Sequence, residues 1–177
     1  MDNKRCLFFT RSGKEIDLVN MRPDDVVLDD ITGPLSKLCR YAGHTNCFYS
    51  VAQHSLLVSR MLPRALRIHG LLHDAAEAYL CDVPLPVKRL ISGYERLERN
   101  VLTCILHRLG VENVSLEQVH RADRTALKIE LFTLFPGHQQ HDFYDRRVHA
   151  EYLNRILRLT PEMVEQELTD AILKELR

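Results

Sequence analysis

The chain has 177 residues, with 24 lysines and arginines against 24 aspartates and glutamates, 45% hydrophobic residues and 27% charged ones. Zero formal charge removes any long-range field that would draw in nucleic acid or an anionic membrane. The hydrophobic content excludes disorder, and charged residues interrupt every apolar stretch short of the roughly 18 residues a spanning helix needs. Five cysteines without a C-x-x-C pair argue against a disulfide framework or a thiolate zinc site and suit reduced thiols. The apolar run near the amino terminus is too short for a signal peptide. The expectation is a soluble, cytoplasmic protein with one domain over 1–177 and no nucleic-acid or membrane partner.

Residues 6–18 predict a small hairpin: Leu7, Phe8 and Phe9 run into the turn pair Ser12-Gly13, and Ile16 and Leu18 alternate with charge. From Asp30, read as a cap, Ile31, Leu35 and Leu38 recur at helical spacing until Gly43. Ser50-x-x-Gln53 is a capping box opening a helix with Val51, Val58 and Met61 or Leu62 on one face, which puts His54 in its first turn. Pro63 suits the start of a nearly apolar helix running to about Leu80. Cys81 then reads as a buried filler, and Pro84 and Pro86 predict an extended strut holding Asp82 and Lys88. Leu97, Val101, Ile105 and Leu109 form the stripe of a helix ending at Gly110. Ser115-x-x-Gln118 caps a helix carrying Val119, Ala122, Ala126 and Leu127, ended by Pro136-Gly137. Val148, Tyr152, Ile156 and Leu159 predict a further helix, and Thr160-Pro161 starts the last, with Val164, Leu168 and Ala171 inward. The fold class is all-α: a bundle of about six or seven helices behind an amino-terminal hairpin. Residues 1–29 form the hairpin and lead-in, 30–135 the helical core and 136–177 the carboxy-terminal helices.

Chemistry concentrates where polar side chains intrude on apolar helix faces. His73 and Asp74 stand side by side in Leu71–Tyr79, and burial is tolerable for them only with a cation or a hydrogen-bond network. Glu77 lies one turn from His73 and close to Asp74. His54 and Asp123, the latter flanked by Ala122 and Ala126, intrude in the same way, so the four suggest one site. Each has a plainer reading alone: His54 as a helix cap, the doublet as a neutral core pair, Asp123 as a surface acid beside Arg121 or Arg124, Glu77 as a solvated edge residue. Glu130, two turns beyond Asp123, reads as a surface residue or one that supports a ligand without being one, and His138-x-x-His141 as part of a solvated loop.

In order along the chain, His54, His73-Asp74 and Asp123 resemble the motif of the HD-domain phosphohydrolases: a His, a His-Asp doublet and a distant Asp. The words Tyr49–Ser55, Leu71–Tyr79 and Asp82–Lys88 are similar to small bacterial and phage members related to 5′-deoxynucleotidases, and the resemblance covers about residues 30–135. It implies one divalent ion between central helices, held by His54, His73, Asp74 and Asp123. Two imidazoles and two carboxylates suit Mn2+, Co2+, Fe2+, Ni2+ or Mg2+, with Zn2+ admissible. By the same resemblance Glu77 is the catalytic base, Asp82 serves catalysis or contacts the sugar, Arg40 grips phosphate, and Tyr41 stands where an aromatic excludes a ribose 2′-hydroxyl. His44 and Lys88 join as phosphate contacts by position and charge alone. The resemblance also implies assembly as a homo-oligomer. The expected activity is metal-dependent hydrolysis of a deoxynucleoside 5′-monophosphate. Release of tripolyphosphate from a triphosphate is the alternative within the class, disfavoured by the few cations near the motif. A non-catalytic nucleotide-binding module is the alternative outside it.

Overall fold

The amino-terminal hairpin forms where alternation meets a turn pair. In the structure, a computed structural model that describes residues 6–112, 117–135 and 147–177, strands β1 (Leu7–Phe9) and β2 (Glu15–Asp17) pair antiparallel with Phe8 opposite Ile16. Gly13 closes the turn at φ 83°, where a side chain would strain the backbone. The Ser12 amide and hydroxyl both donate to the Asp30 carboxylate at 2.7 Å. Asp30 therefore does not cap a helix. It lies buried within α1 (Asp29–Lys37), whose N-cap is Leu28, and anchors the hairpin instead. Helix α1 also stops short of Gly43, because Cys39 turns extended and bridges to Ser50.

The Ser50 box closes as its residues require: the Gln53 N–H donates to the serine oxygen at 3.2 Å, and the Ser50 N–H donates to the Gln53 side chain at 2.7 Å. It starts α2 (Val51–Arg60), in which every residue from Val51 to Ser59 is buried. The helix expected from Pro63 to Leu80 is divided into a 3-10 turn at Arg64–Leu66, α3 (Arg67–Leu72) and the single turn α4 (Glu77–Leu80). Between α3 and α4 the amides of Ala75 and Glu77 bond to carbonyls three residues back, tightening the winding across the His-Asp doublet. The expected strut is helical at its end. Pro84 as N-cap and Pro86 in the first turn open α5 (Leu85–Lys88), where a missing N–H costs nothing.

Helix α6 (Tyr94–Arg108) ends before Gly110, and α7 (Glu117–Leu134), α8 (Arg147–Ile156) and α9 (Pro161–Glu175) follow. The Met163 N–H donates to the capping hydroxyl of Thr160. Among the described residues this is a mostly helical fold, with seven helices longer than one turn and one two-stranded sheet. Ser115, Pro136-Gly137, the Val148 side chain and His138 to His141 lie outside them. No helix among them is long and apolar enough to cross a membrane.

Helix α2 lies between two cores. Its Val51, Ala52 and Leu56 pack with Ile31, Leu35, Leu71, Leu72, Ile105, Leu168 and Ile172. Leu57 and Val58 pack with Val119, Ala126, Ile129, Leu153 and Ile156 of α7 and α8. Both its faces are therefore fixed, and so is the side chain of His54. The crossing with α3 is set by Gly70, where a Cβ would stand 2.8 Å from Ser59 Cα and 2.7 Å from Leu62 Cδ1. The Gly70 carbonyl also accepts from His73 Nδ1 at 2.9 Å, so the crossing distance sets the distance between the histidines. Gly70→Ala is expected to lower stability by about 2 kcal/mol in urea unfolding, the typical penalty of an overpacked core.

Candidate metal centre

Three elements bring the four expected ligands to one point. His54 comes from α2, His73 and Asp74 from the tight turn after α3, and Asp123 from the second turn of α7. His54 Nε2 lies 3.2 Å from His73 Nε2, 3.2 Å from Asp123 Oδ1 and 3.6 Å from Asp74 Oδ2, and His73 Nε2 is 3.3 Å from that same Asp74 oxygen. His54, His73 and Asp123 offer ligand atoms all within 4.8 Å of one another, a group that could hold a metal ion. Both histidines turn Nδ1 away from the cluster, His54 toward Glu130 at 2.6 Å and His73 toward the Gly70 carbonyl at 2.9 Å. Nδ1 is thus the donor on each ring, and Nε2 is the atom each presents to the cluster. Two imidazole lone pairs and two carboxylates at such range need a proton or a cation among them.

The electrostatics agree with that requirement. Burial and the charge of Arg40 push the His54 pKa down, but Glu130 and Asp123 outweigh them and raise it to about 9. Burial dominates at His73 and lowers its pKa. Asp123, although partly buried, is held below the usual carboxylate range by the hydrogen bond and charge of His54. The charges of Glu130 and Asp123 thus favour a proton on His54.

The cluster opens into a cavity of about 390 Å3, lined by Arg40, Tyr41, Asp74, Glu77, Asp82, Lys88 and Asp123, with Val83 to Pro86 and Leu127 as an apolar wall. Glu77 is buried, with Oε1 3.1 Å from Lys88 Nζ and Oε2 without a partner. Burial and the charges of Asp74 and Asp82 raise its pKa to about 9, against the opposing pull of Lys88. Lys88 also bonds Glu98 at 2.6 Å. Asp82 is half-buried, and burial raises its pKa as well.

Arg40 is engaged rather than free: its Nη1 lies 3.5 Å from Asp74, its Nη2 3.4 Å from Glu130, and its Nε has no partner. Tyr41 follows in a left-handed conformation (φ 57°). His44 is exposed and does not line the cavity, because the turn at Arg40–Gly43 carries it away. Two apolar expectations also change. Leu127 is exposed on the cavity wall rather than in the core, being one turn from Asp123 on the same face, and Cys81 is exposed at φ 66° rather than filling a gap.

Glu130, fully buried, takes the second of its two sequence readings, supporting a ligand through His54 Nδ1. It is not a surface group, and its signal was present: Ala122, Ala126 and Glu130 fall at i, i+4 and i+8 on the buried stripe of α7.

Fold and site together define a helical protein with a buried histidine and carboxylate cluster competent for a metal ion. The chain is 41% identical over 121 residues to the uncharacterized protein YfdR of Escherichia coli K12, an alignment covering 68% of each, and it belongs to the YfdR family. It is 36% identical over 125 residues to an uncharacterized protein of Rhodobacter capsulatus, covering 65% of this chain and 64% of that one. No protein-family model matches the chain.

A metal ion at the cluster would have to displace the proton that His54 carries below a pKa of about 9, so binding would release protons and weaken as pH falls. Mn2+ affinity is expected to rise up to about tenfold per unit between about pH 6 and 8. Calorimetry in two buffers of different ionisation enthalpy reads the released proton.

Proposed function

We propose that the chain is a divalent-metal-dependent phosphohydrolase of the HD-domain type, acting on deoxynucleoside 5′-monophosphates to give deoxynucleoside and phosphate. The observation that carries the reading is the convergence of His54, His73, Asp74 and Asp123 at the floor of an open cavity whose walls also hold Glu77, Asp82, Arg40 and Lys88. A divalent ion at the cluster would polarise a phosphoryl oxygen and make a water more acidic. The residues supply the rest. Glu77 Oε2, buried and without a partner, is the proton acceptor for the attacking water. Glu77 is kept protonated by burial and by the charges of Asp74 and Asp82; with Asp74 engaged by a cation one of those charges would be offset, and Lys88 steadies the ionised form. Arg40 binds phosphate by giving up its long contacts to Asp74 and Glu130, and its Nε is a donor already in hand. Asp82 lines the cavity together with the apolar Pro84, Leu85 and Leu127, against which the nucleoside rests.

Among the described residues the arginine and lysine lining this cavity are Arg40 and Lys88, and Lys88 is already shared by two glutamates. That supply favours one phosphoryl group over three. The test is metal-stripped protein restored with Mn2+, Co2+ or Mg2+ and offered mono- and triphosphates of deoxy- and ribonucleosides, with products resolved by chromatography. Phosphate from deoxymonophosphates is the expected product. Glu77→Gln is expected to lower kcat by about 100-fold or more while leaving Mn2+ affinity within a few-fold. Tripolyphosphate as product would transfer the assignment to the triphosphate reaction, and nucleotide binding without turnover under any metal would leave a sensor.

A further inference from the structure

His54 and His73 aim their Nε2 atoms at the same point by different means. His73 is steered by its own turn, through the Gly70 carbonyl three residues back, so its orientation survives most side-chain changes elsewhere. His54 is steered by one side chain 76 positions away: Glu130 Oε1 accepts from Nδ1 at 2.6 Å. A ring rotated half a turn would move Nδ1 off Glu130 and Nε2 off the cluster, and α2, with every residue from Val51 to Ser59 buried, keeps His54 away from solvent. Glu130 is itself held from all sides. Oε1 also accepts from the Tyr49 hydroxyl at 2.9 Å, and Oε2 accepts from the Tyr41 hydroxyl and faces Arg40 Nη2 at 3.4 Å. Burial opposes its ionisation, yet the charges of His54 and Arg40 hold its pKa down at about 2. Asp123 and Glu130 stand two turns apart on α7, so one helix face delivers a ligand and the support of another ligand.

We propose that Glu130 is a positioning residue: it fixes the ring of His54 with Nε2 toward the metal, and it ties that orientation to the Arg40–Tyr41 wall of the substrate cavity. The inference rests on the metal-dependent reading above and adds to it a residue outside the ligand set. A carboxylate here makes the imidazole a better donor to a cation and locks its tautomer, which is why such outer partners typically carry 10- to 100-fold in metal affinity (an order-of-magnitude range). An amide of the same shape cannot do both jobs. If its oxygen faces His54, its NH2 confronts Arg40; if it is reversed, its NH2 donates to Nδ1 and moves the ring proton to Nε2, where it blocks ligation.

The experiment compares the whole protein with its Glu130→Gln and Tyr49→Phe variants by Mn2+ titration, thermal melting, and long-range 1H–15N correlation of the histidine rings in the Zn2+-loaded form. Glu130→Gln is expected to lose about 10- to 100-fold in Mn2+ affinity, whereas Tyr49→Phe, which removes a different bond to the same Oε1, stays within about 3-fold. In the parent, the His54 ring is expected to show a protonated Nδ1 with a strongly deshielded, slowly exchanging proton. Equal affinity of Glu130→Gln and the parent would overturn the inference, and so would an equal loss in Tyr49→Phe, which would mark a general effect of packing. Should Glu130→Gln fail to fold, the parent spectrum decides: a His54 without a proton on Nδ1 in the metal-loaded protein overturns the role. A parent that binds no metal would instead sink the metal-dependent reading itself.

Discussion

Two imidazole nitrogens held 3.2 Å apart in a protein core, each with its other nitrogen committed to an acceptor, cannot rest there without positive charge between them. The surrounding structure keeps that confrontation from relaxing. Helix α2 is buried on both faces, so His54 cannot retreat, and Gly70 brings α3 so close that His73 cannot withdraw either. Acid on two sides, from Asp74 and Asp123, makes the point between them attractive to a cation. The raised pKa of His54 favours a proton as that charge, and a divalent ion at the cluster would compete with it for the same lone pairs.

The tight winding across the doublet has its own effect on the cavity. In an α-helix Glu77 would stack nearest His73, but three-residue winding aligns it with Asp74, so two carboxylates line one wall. Their mutual repulsion, added to burial, keeps a proton on Glu77. Lys88, delivered by the short turn after two prolines, offsets part of that repulsion and in turn leans on Glu98 of α6. Acid strength at this wall is thus set jointly by winding and by a lysine from another segment.

Much of this was legible from residue order. His54, His73, Asp74 and Asp123 each break an apolar helical pattern, and a break of that kind survives into three dimensions because helix faces are periodic. The hairpin, the Ser50 box and the Thr160 cap were readable for the same local reason. What depended on long-range packing was not. Asp30 looks like a cap until the hairpin is folded back onto it, and Arg40 looks free until Asp74 and Glu130 close around it. His44 fell near Arg40 in sequence, but two left-handed residues, Tyr41 and Ala42, followed by Gly43 at φ 77°, send the chain outward. Leu127 carries the hydrophobicity of a core residue and spends it on a cavity wall.

Those two left-handed residues, Tyr41 at φ 57° and Ala42 at φ 51°, have a further consequence. Neither is glycine, and each such residue typically stores about 1 kcal/mol or more that neighbouring contacts must offset. Here the offset comes from the Tyr41 hydroxyl on Glu130 and the edge-on packing of its ring against Phe135 at 5.1 Å between centroids. Evolutionary drift at these positions is therefore constrained by backbone before side-chain chemistry is considered. Valine, isoleucine or threonine is barred from both by the branch at Cβ, while asparagine or glycine at 42 would relax the loop. Position 41 has the narrower alphabet, since its occupant must tolerate the left-handed region and also reach Glu130.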